Sequence, residues 1–311
     1  MTVFYDGPGA TLIHGDATRL TEYVEPESVD LIVTSPPYFA LRSYTDGGEH
    51  YDGQIGSEDT PEQFLEALWT VTEQCAQVLK PSGSMFINLG DKYDGSKSLM
   101  GLPWRYALGC IDGRAGDPLI LRAEIIWHKL NALPESVLDR VKRSHEQWFH
   151  LTREARYFSG IDEIRETYLA APAKAQKSKF TSSGQSKNPG LELDHDLEHN
   201  PLGKLPGSVW PMAMEPLRVP DWLGVDHFAA FPTEWPRKLI SGWSPEGGVV
   251  LDPFGGTGTV AMVARALGRH GFHVDLSTDY LKLAKWRVFE SGHWAKAVRR
   301  TNEDNQQTLD L

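Results

Sequence analysis

The sequence predicts an α/β protein with a mostly parallel mixed sheet, helices on both faces and a small insertion. Two observations carry that prediction. Short apolar β-type runs alternate with helical stretches along most of the chain, and residues 248–274 form a clean strand, glycine-rich turn, helix, strand unit. The length of 311 residues suits one large domain with an insertion, or two ordinary domains.

Taken in order, Thr11–His14 and Val29–Thr34 are apolar runs that end in turn residues, Gly15-Asp16 and Ser35-Pro36-Pro37. Thr60 is placed to cap a helix, with Pro61 at its first position and Gln63 closing a capping box. Phe64, Leu65, Leu68, Val71, Cys75, Val78 and Leu79 then mark one helical face, and Lys80-Pro81-Ser82-Gly83 stops it. Ser84–Leu89, Ala123–His128 and Gln147–Thr152 read as further strands. The last unit has strand Gly248–Leu251, a helix through Leu267 capped by Gly268, and strand Gly271–Val274. One more helix follows, from Tyr280 to about Ser291. Residues 160–222 differ, being rich in Lys, Ser, Gly, Asn and Pro with little periodicity, and are expected to be an insertion. The tail from Asn302 to Leu311 is expected to fray.

Composition removes some classes of function. No apolar run approaches the ~18 residues needed to cross a bilayer, and the first ten residues lack a basic-then-apolar signal pattern. Cys75 and Cys110 cannot make a disulfide framework, and no zinc-type spacing exists. A soluble, reducing compartment is therefore expected. The net charge of −11 argues at first against nucleic acid, but it is unevenly distributed. Residues 1–100 hold five basic and sixteen acidic residues, so the whole excess lies there and the rest is balanced. Within the balanced part, Lys174, Lys177, Lys179 and Lys187 cluster without an acid between them, as do Arg140, Lys142 and Arg143, and Lys282, Lys285, Arg287, Lys296, Arg299 and Arg300 mark the last helix. Clustered cations can meet phosphates whatever the global sum, although each cluster is equally well a solvated face.

Two motifs carry chemistry. Leu251-Asp252-Pro253-Phe254-Gly255-Gly256-Thr257-Gly258-Thr259 follows an apolar strand and opens a helix, so its backbone can approach a ligand closely. Asp252 ends that strand, where it can meet a cationic amino group. Asp275 ends the next, where a carboxylate can take two ribose hydroxyls. A dinucleotide fingerprint competes, since Gly256-x-Gly258-x-x-Ala261 fits its pattern with Asp275 about 20 residues on. The second motif is Thr34-Ser35-Pro36-Pro37-Tyr38, again at a strand's carboxyl end. Its prolines fix the backbone and leave carbonyl acceptors, with the Ser35 hydroxyl and the Tyr38 ring alongside. Acceptors beside a stacking plane suit a flat base with an exocyclic amine.

With TSPPY at 34–38 and DPFGGTGT at 252–259, the chain resembles the β class of amino-group DNA methyltransferases, catalytic motif first and cofactor motif last. HGDA (14–17), PSGSMFINLGDKY (81–93), EIIWHKLNALPESVLDR (124–140), RSHEQWFHLT (143–152) and HFAAFPTEW (227–235) are similar to further segments of that family. The resemblance implies a circularly permuted, Rossmann-like S-adenosylmethionine methyltransferase fold, in which Thr11–His14 supplies the strand missing after Asp275. It divides the chain into a catalytic half (1–159), a target-recognition insertion (160–222), a cofactor half (223–300) and the tail (301–311). Cofactor contacts are then expected from Asp16 near the adenine, Phe231 at the methionine end, and Asp252, Phe254, Gly255, Gly256, Thr257, Gly258, Thr259 and Asp275. Where the family often has Glu at the ribose position, this chain has Asp275.

The same resemblance implies a mechanism. Ser35 and the Pro36 carbonyl would accept from the target amine, Pro37 would hold the turn, and Tyr38 would stack on a base flipped from duplex DNA. Ser35 favours N4 of cytosine, with N6 of adenine the alternative. Lys174, Lys177, Lys179 and Lys187 would touch phosphates. An RNA or protein methyltransferase and a nicotinamide dehydrogenase are the competing classes. A homodimer and a cognate restriction endonuclease are partners that the residues neither require nor exclude. No metal is expected: Asp194-His195-Asp196 with Glu198-His199 reads as a solvated charge run, and His145-Glu146 as structural. No Pro-Cys nucleophile for attack at a ring carbon is present, since Cys75 follows Gln74 and Cys110 follows Gly109. Replacing both cysteines with alanine should leave turnover intact in a methyl-transfer assay, whereas turnover lost from folded protein would contradict direct transfer.

Overall fold

The computed structural model describes residues 2–40, 45–46, 49–50, 53–168, 200–225 and 231–292. Lys174, Lys177, Lys179 and Lys187, the 194–199 charge run, most of the HFAAFP stretch and the tail lie outside the described residues.

Eleven strands form among the described residues: β1 (Thr2–Gly7), β2 (Ala10–His14), β3 (Val29–Thr34), β4 (Thr45–Asp46), β5 (Glu49–His50), β6 (Leu79–Leu89), β7 (Ile120–Lys129), β8 (His145–Thr152), β9 (Val209–Met212), β10 (Val249–Asp252) and β11 (His270–Asp275). Strands β4 and β5 make a small ribbon, and the other nine form one sheet in the order β1-β2-β11-β10-β3-β6-β8-β7-β9. Strands β2, β11, β10, β3 and β6 are mutually parallel, while β8 runs antiparallel to both β6 and β7. Thr11–His14 does lie beside β11, within β2 and with Phe272 opposite Thr11, so a strand from the start of the chain extends the sheet beyond β11.

Alternation along the central strands builds two cores. Leu31, Val33 and Val250 face α3 (Glu234–Trp243) and α4 (Thr259–Ala266), whereas Ile32 and Leu251 face the layer containing α1 (Pro61–Val78) and α2 (Leu102–Ile111). Helix α5 (Thr278–Lys285) places Leu281 and Ala284 on Leu12. Thr60 caps α1 as the spacing predicts: its Oγ1 accepts from Gln63 N–H and Gln63 Oε1 accepts from Thr60 N–H, both at 3.2 Å.

Several elements differ from expectation. The strand after α1 begins at Leu79, without an intervening stop, because Val29 and Leu79 already pair. Strand β1 and helices α2 and α3 are additional. Helix α2 is started by tertiary means, since the Asp91 carboxylate accepts from Gly101 N–H and Leu102 N–H at 3.1 Å. The stretch expected as an irregular insertion contributes Val209–Met212 to the sheet edge, where Trp210 and Met212 are buried. The final helix changes hydrogen-bond pattern at Trp286–Glu290, a π-type turn that buries Arg287, a residue grouped by sequence with a basic surface cluster. Replacing Thr60 with alanine removes one half of the capping box and should cost about 1 kcal/mol of stability in chemical denaturation.

Candidate active site

The carboxyl ends of β2, β11, β10, β3, β6 and β7 and the amino end of the reversed strand β8 share one edge of the sheet, where ligands bind in open α/β folds. Both sequence motifs meet there because β3 and β10 are neighbours. Thr34, the last residue of β3, donates from Oγ1 to Asp252 Oδ1 at 2.6 Å. The same oxygen accepts from Phe254 N–H at 3.1 Å, so Asp252 holds the turn into the glycine loop. Asp252 is 2% exposed. Burial pushes its carboxyl up to about 7, against the lowering pull of the Thr34 and Phe254 bonds, with the Asp275 charge adding to the rise.

The glycine loop is fixed on two sides. Asp275 Oδ2 accepts from Gly256 N–H and Oδ1 from Ser277 N–H, both at 2.8 Å. From behind, the Arg287 guanidinium donates to Thr257 Oγ1 at 2.7 Å and Thr259 Oγ1 at 2.6 Å. Its burial pushes the guanidinium down to about 10, so it stays charged at neutral pH. Gly258 caps α4 at φ 75°, a left-handed conformation that a side chain would strain. Asp16 follows β2, which is tied to β11 by Gly15 N–H donating to the Asp275 carbonyl at 3.0 Å, and its own Oδ1 caps Thr18 N–H at 2.8 Å. Phe231 packs edge-on against Trp148, ring centroids 5.5 Å apart, and Trp148 pairs with Asn88 at the same edge.

The Ser35–Tyr38 turn meets side chains that sequence reasoning did not select. Asn88 lies at the end of β6 and turns its amide by donating from Nδ2 to the Gln147 carbonyl at 3.0 Å. Its Oδ1 therefore faces the turn, 3.2 Å from Ser35 Oγ and 2.9 Å from the Tyr38 hydroxyl. Glu146, read from sequence as structural, reaches the Tyr38 hydroxyl with Oε2 at 2.9 Å and pairs through Oε1 with Lys129. Gly90 lets the Tyr38 ring approach the backbone, since a Cβ there would lie 2.6 Å from Tyr38 Cε2. Asn88 could have been found by asking which polar residue ends the strand parallel to β3. Glu146 required the antiparallel placement of β8, which no local pattern signals. Cys75 and Cys110 are buried, and burial pushes both thiols up, Cys110 to about 12. Among the described residues, no group of three His, Cys, Asp or Glu could hold a metal ion.

A glycine loop between two strand-end carboxylates, beside a Ser-Pro-Pro-Tyr turn rich in acceptors, defines an α/β enzyme built to bring a nucleoside-type cofactor next to an amine. The family model described as DNA methylase, for N6 and N4 amino-methyltransferases, matches residues 29–286, and the chain belongs to that family. Type II methyltransferase M.Cfr9I of Citrobacter freundii is 32% identical over 308 residues, covering 90% of this chain and 88% of its own. Among solved structures, the PvuII DNA methyltransferase (cytosine-N4-specific) superposes with a TM-score of 0.67 at 18% identity over 94% of this chain and 92% of its own. TTHA0409 of Thermus thermophilus, solved in complex with S-adenosyl-L-methionine, gives 0.55 at 26% identity, covering 92% and 95%. The family depends on S-adenosylmethionine, and the donor set here suits it, with one strand-end carboxylate for an ammonium and another for ribose hydroxyls.

The raised Asp252 gives a pH test. Because its folded carboxyl holds a proton more tightly than the ordinary 3.8 of the unfolded chain, its contribution to stability is present below about pH 4 and lost as pH rises towards 7. Denaturation of cofactor-free protein should show D252N gaining on the wild type by roughly 1 kcal/mol per pH unit across that window.

Proposed function

We propose that the protein is a site-specific DNA methyltransferase of the type II kind, methylating N4 of a cytosine flipped out of duplex DNA. The observation that carries the reading is the direction of the hydrogen bond between Ser35 and Asn88. An amide oxygen only accepts, so the Ser35 hydroxyl turns its proton inward, towards Asn88 Oδ1 at 3.2 Å or the Tyr38 oxygen at 3.4 Å. The lone pairs of Ser35 Oγ are then left for the N–H groups of a target amine, with the Pro36 carbonyl as second acceptor.

Accepting from both amine hydrogens favours a tetrahedral nitrogen, whose lone pair otherwise delocalises into the ring. S-adenosylmethionine, when bound, supplies an electrophilic methyl group. Asp252, Asp275 and Asp16 would hold its polar groups, the loop Phe254, Gly255, Gly256, Thr257, Gly258 and Thr259 would follow its backbone-facing side, and Phe231 would cover its apolar end. Asp275, oriented by the Gly256 and Ser277 N–H groups, would take the ribose hydroxyls. Tyr38 would stack on the base while Pro37 holds the turn. Alkylation makes the nitrogen acidic, so positioning, and no strong general base, is what the residues must provide. His150 and His273 agree with that, since burial pushes both down to about 3 and keeps them neutral.

Ser35 supports cytosine as the target through the family correspondence between Ser at this position and cytosine amines. Residues 160–222 remain the segment proposed to read the target sequence, with Lys174, Lys177, Lys179 and Lys187 on phosphates. Action in the bacterial cytoplasm fits the family; among the described residues no helix is long and apolar enough to cross a membrane. Mass spectrometry of nucleosides from DNA treated with pure protein and S-adenosylmethionine should show N4-methylcytosine; N6-methyladenine would replace the cytosine assignment, and no methylated nucleoside would refute the function. S35A should lower kcat by about 10²-fold with cofactor affinity retained.

A further inference from the structure

Tyr38 has one phenolic proton and two acceptors at 2.9 Å, Asn88 Oδ1 and Glu146 Oε2. The proton satisfies one of them in full. A carboxylate is the stronger acceptor, and charge-assisted bonds are roughly twice as strong as neutral ones. Glu146 is kept in place by Lys129 across the base of the loop joining β7 to β8, and both side chains are largely enclosed, 14% and 18% exposed. Lys129 N–H also donates to the Ser144 carbonyl at 2.8 Å, so the backbone clamps the same loop base.

We propose that Glu146, held by Lys129, is a positioning residue that draws the Tyr38 proton away from Asn88 and so sets the direction of the chain Ser35–Asn88–Tyr38. With Tyr38 donating to Glu146, both Asn88 Oδ1 and the Tyr38 oxygen are open to the Ser35 proton, at 3.2 and 3.4 Å, and Ser35 faces the substrate amine as an acceptor. A neutral group at 146 draws the Tyr38 proton less, so Tyr38 shares Asn88 Oδ1 with Ser35 and no longer offers its oxygen to the Ser35 proton, which weakens the inward hold on that proton. The clamp also fixes the Tyr38 ring, because Gly90 and Glu146 bound it on two sides. The proposal rests on the methyltransferase reading for its effect on turnover, but not for its geometry.

The test combines kinetics with a direct view of Tyr38. Methyl transfer from tritiated S-adenosylmethionine to duplex DNA is measured for E146Q, K129M, K129R, Y38F and Y38F/E146Q. The same proteins are prepared with 3-fluorotyrosine, and the Tyr38 fluorine resonance is the one absent from Y38F. E146Q should lower kcat by about tenfold, leave KM for the cofactor and the melting temperature near wild type, and shift the Tyr38 resonance; on a Y38F background it should add less than about twofold. K129M should follow E146Q in kind, and K129R should restore most of the activity. A full E146Q loss repeated in the Y38F background, or an unmoved Tyr38 resonance, overturns the proposal. A wild type that transfers no methyl group to DNA while E146Q still shifts Tyr38 would refute the function and support the clamp.

Discussion

The hydrogen bond from Thr34 to Asp252 is the constraint on which the site depends. It joins the last residues of two adjacent parallel strands, 218 positions apart in the chain, and each residue opens one of the two motifs. The bond is short because it lies in a region closed to water, where a carboxylate has few other partners and burial has already raised the carboxyl to about 7. A group so poised responds to an approaching cation, which lowers the cost of its charged form. The glycine loop and the Ser35–Tyr38 turn are thereby joined through a single pair of side chains.

Around this pair, the loops are fixed by polar groups taken from distant elements. Asp275 holds Gly256, Arg287 holds Thr257 and Thr259, Asp91 starts α2, and Asn88 aims at Ser35. The acidity of the first hundred residues has a similar structural account. Asp30 accepts from Val249 N–H and pairs with Lys80, while Glu62 and Glu66 pair with Arg105 and Arg114 between α1 and the α2 region. Many of these acids therefore hold parts of the fold together and do not describe the substrate surface. The exposed pairs among them contribute little energy each, but they occupy charges that would otherwise repel a polyanion.

Local chemistry decided which parts were legible in the sequence. The α1 cap and the strand–loop–helix–strand unit of β10, α4 and β11 follow from short patterns, and the place of Thr11–His14 beside β11 follows from the permuted fold that the family resemblance implies. Helix α2 was not legible, because Asp91 stands ten residues ahead of the helix it starts. Strand β9 was not, because Val209–Met212 is too short to show alternation and is defined by Trp210 entering a stack with Trp235 at 4.8 Å. Arg287 was assigned to a surface from its basic neighbours, yet the π-type turn rotates it inward beneath the loop. In the site, Ser35, Tyr38, Asp252 and Asp275 could be named from motif position. Glu146 and Lys129 could not, since their meeting depends on β8 running against its neighbours.

That reversed strand has a chemical consequence. In an all-parallel sheet, the edge that binds ligands is lined by strand ends and helix amino termini, and the latter offer N–H donors. Reversing β8 brings a strand's first residues to the same edge, adding a carboxylate, Glu146, where a helix start would otherwise stand. The side made by the parallel strands β10 and β11 carries the glycine loop, whose Phe254 and Gly256 N–H groups donate to Asp252 and Asp275. The side made by β3, β6 and β8 gathers the oxygens of Ser35, Asn88 and Glu146 around the Tyr38 hydroxyl. An amine bears hydrogens and must keep its lone pair free for the methyl group, so a surface of acceptors is the one that can hold it without occupying the reacting electrons. The mixed sheet thus sets the Asn88 and Glu146 oxygens on one side of the line where β3 meets β10 and the glycine loop on the other, and Thr34 with Asp252 marks that line.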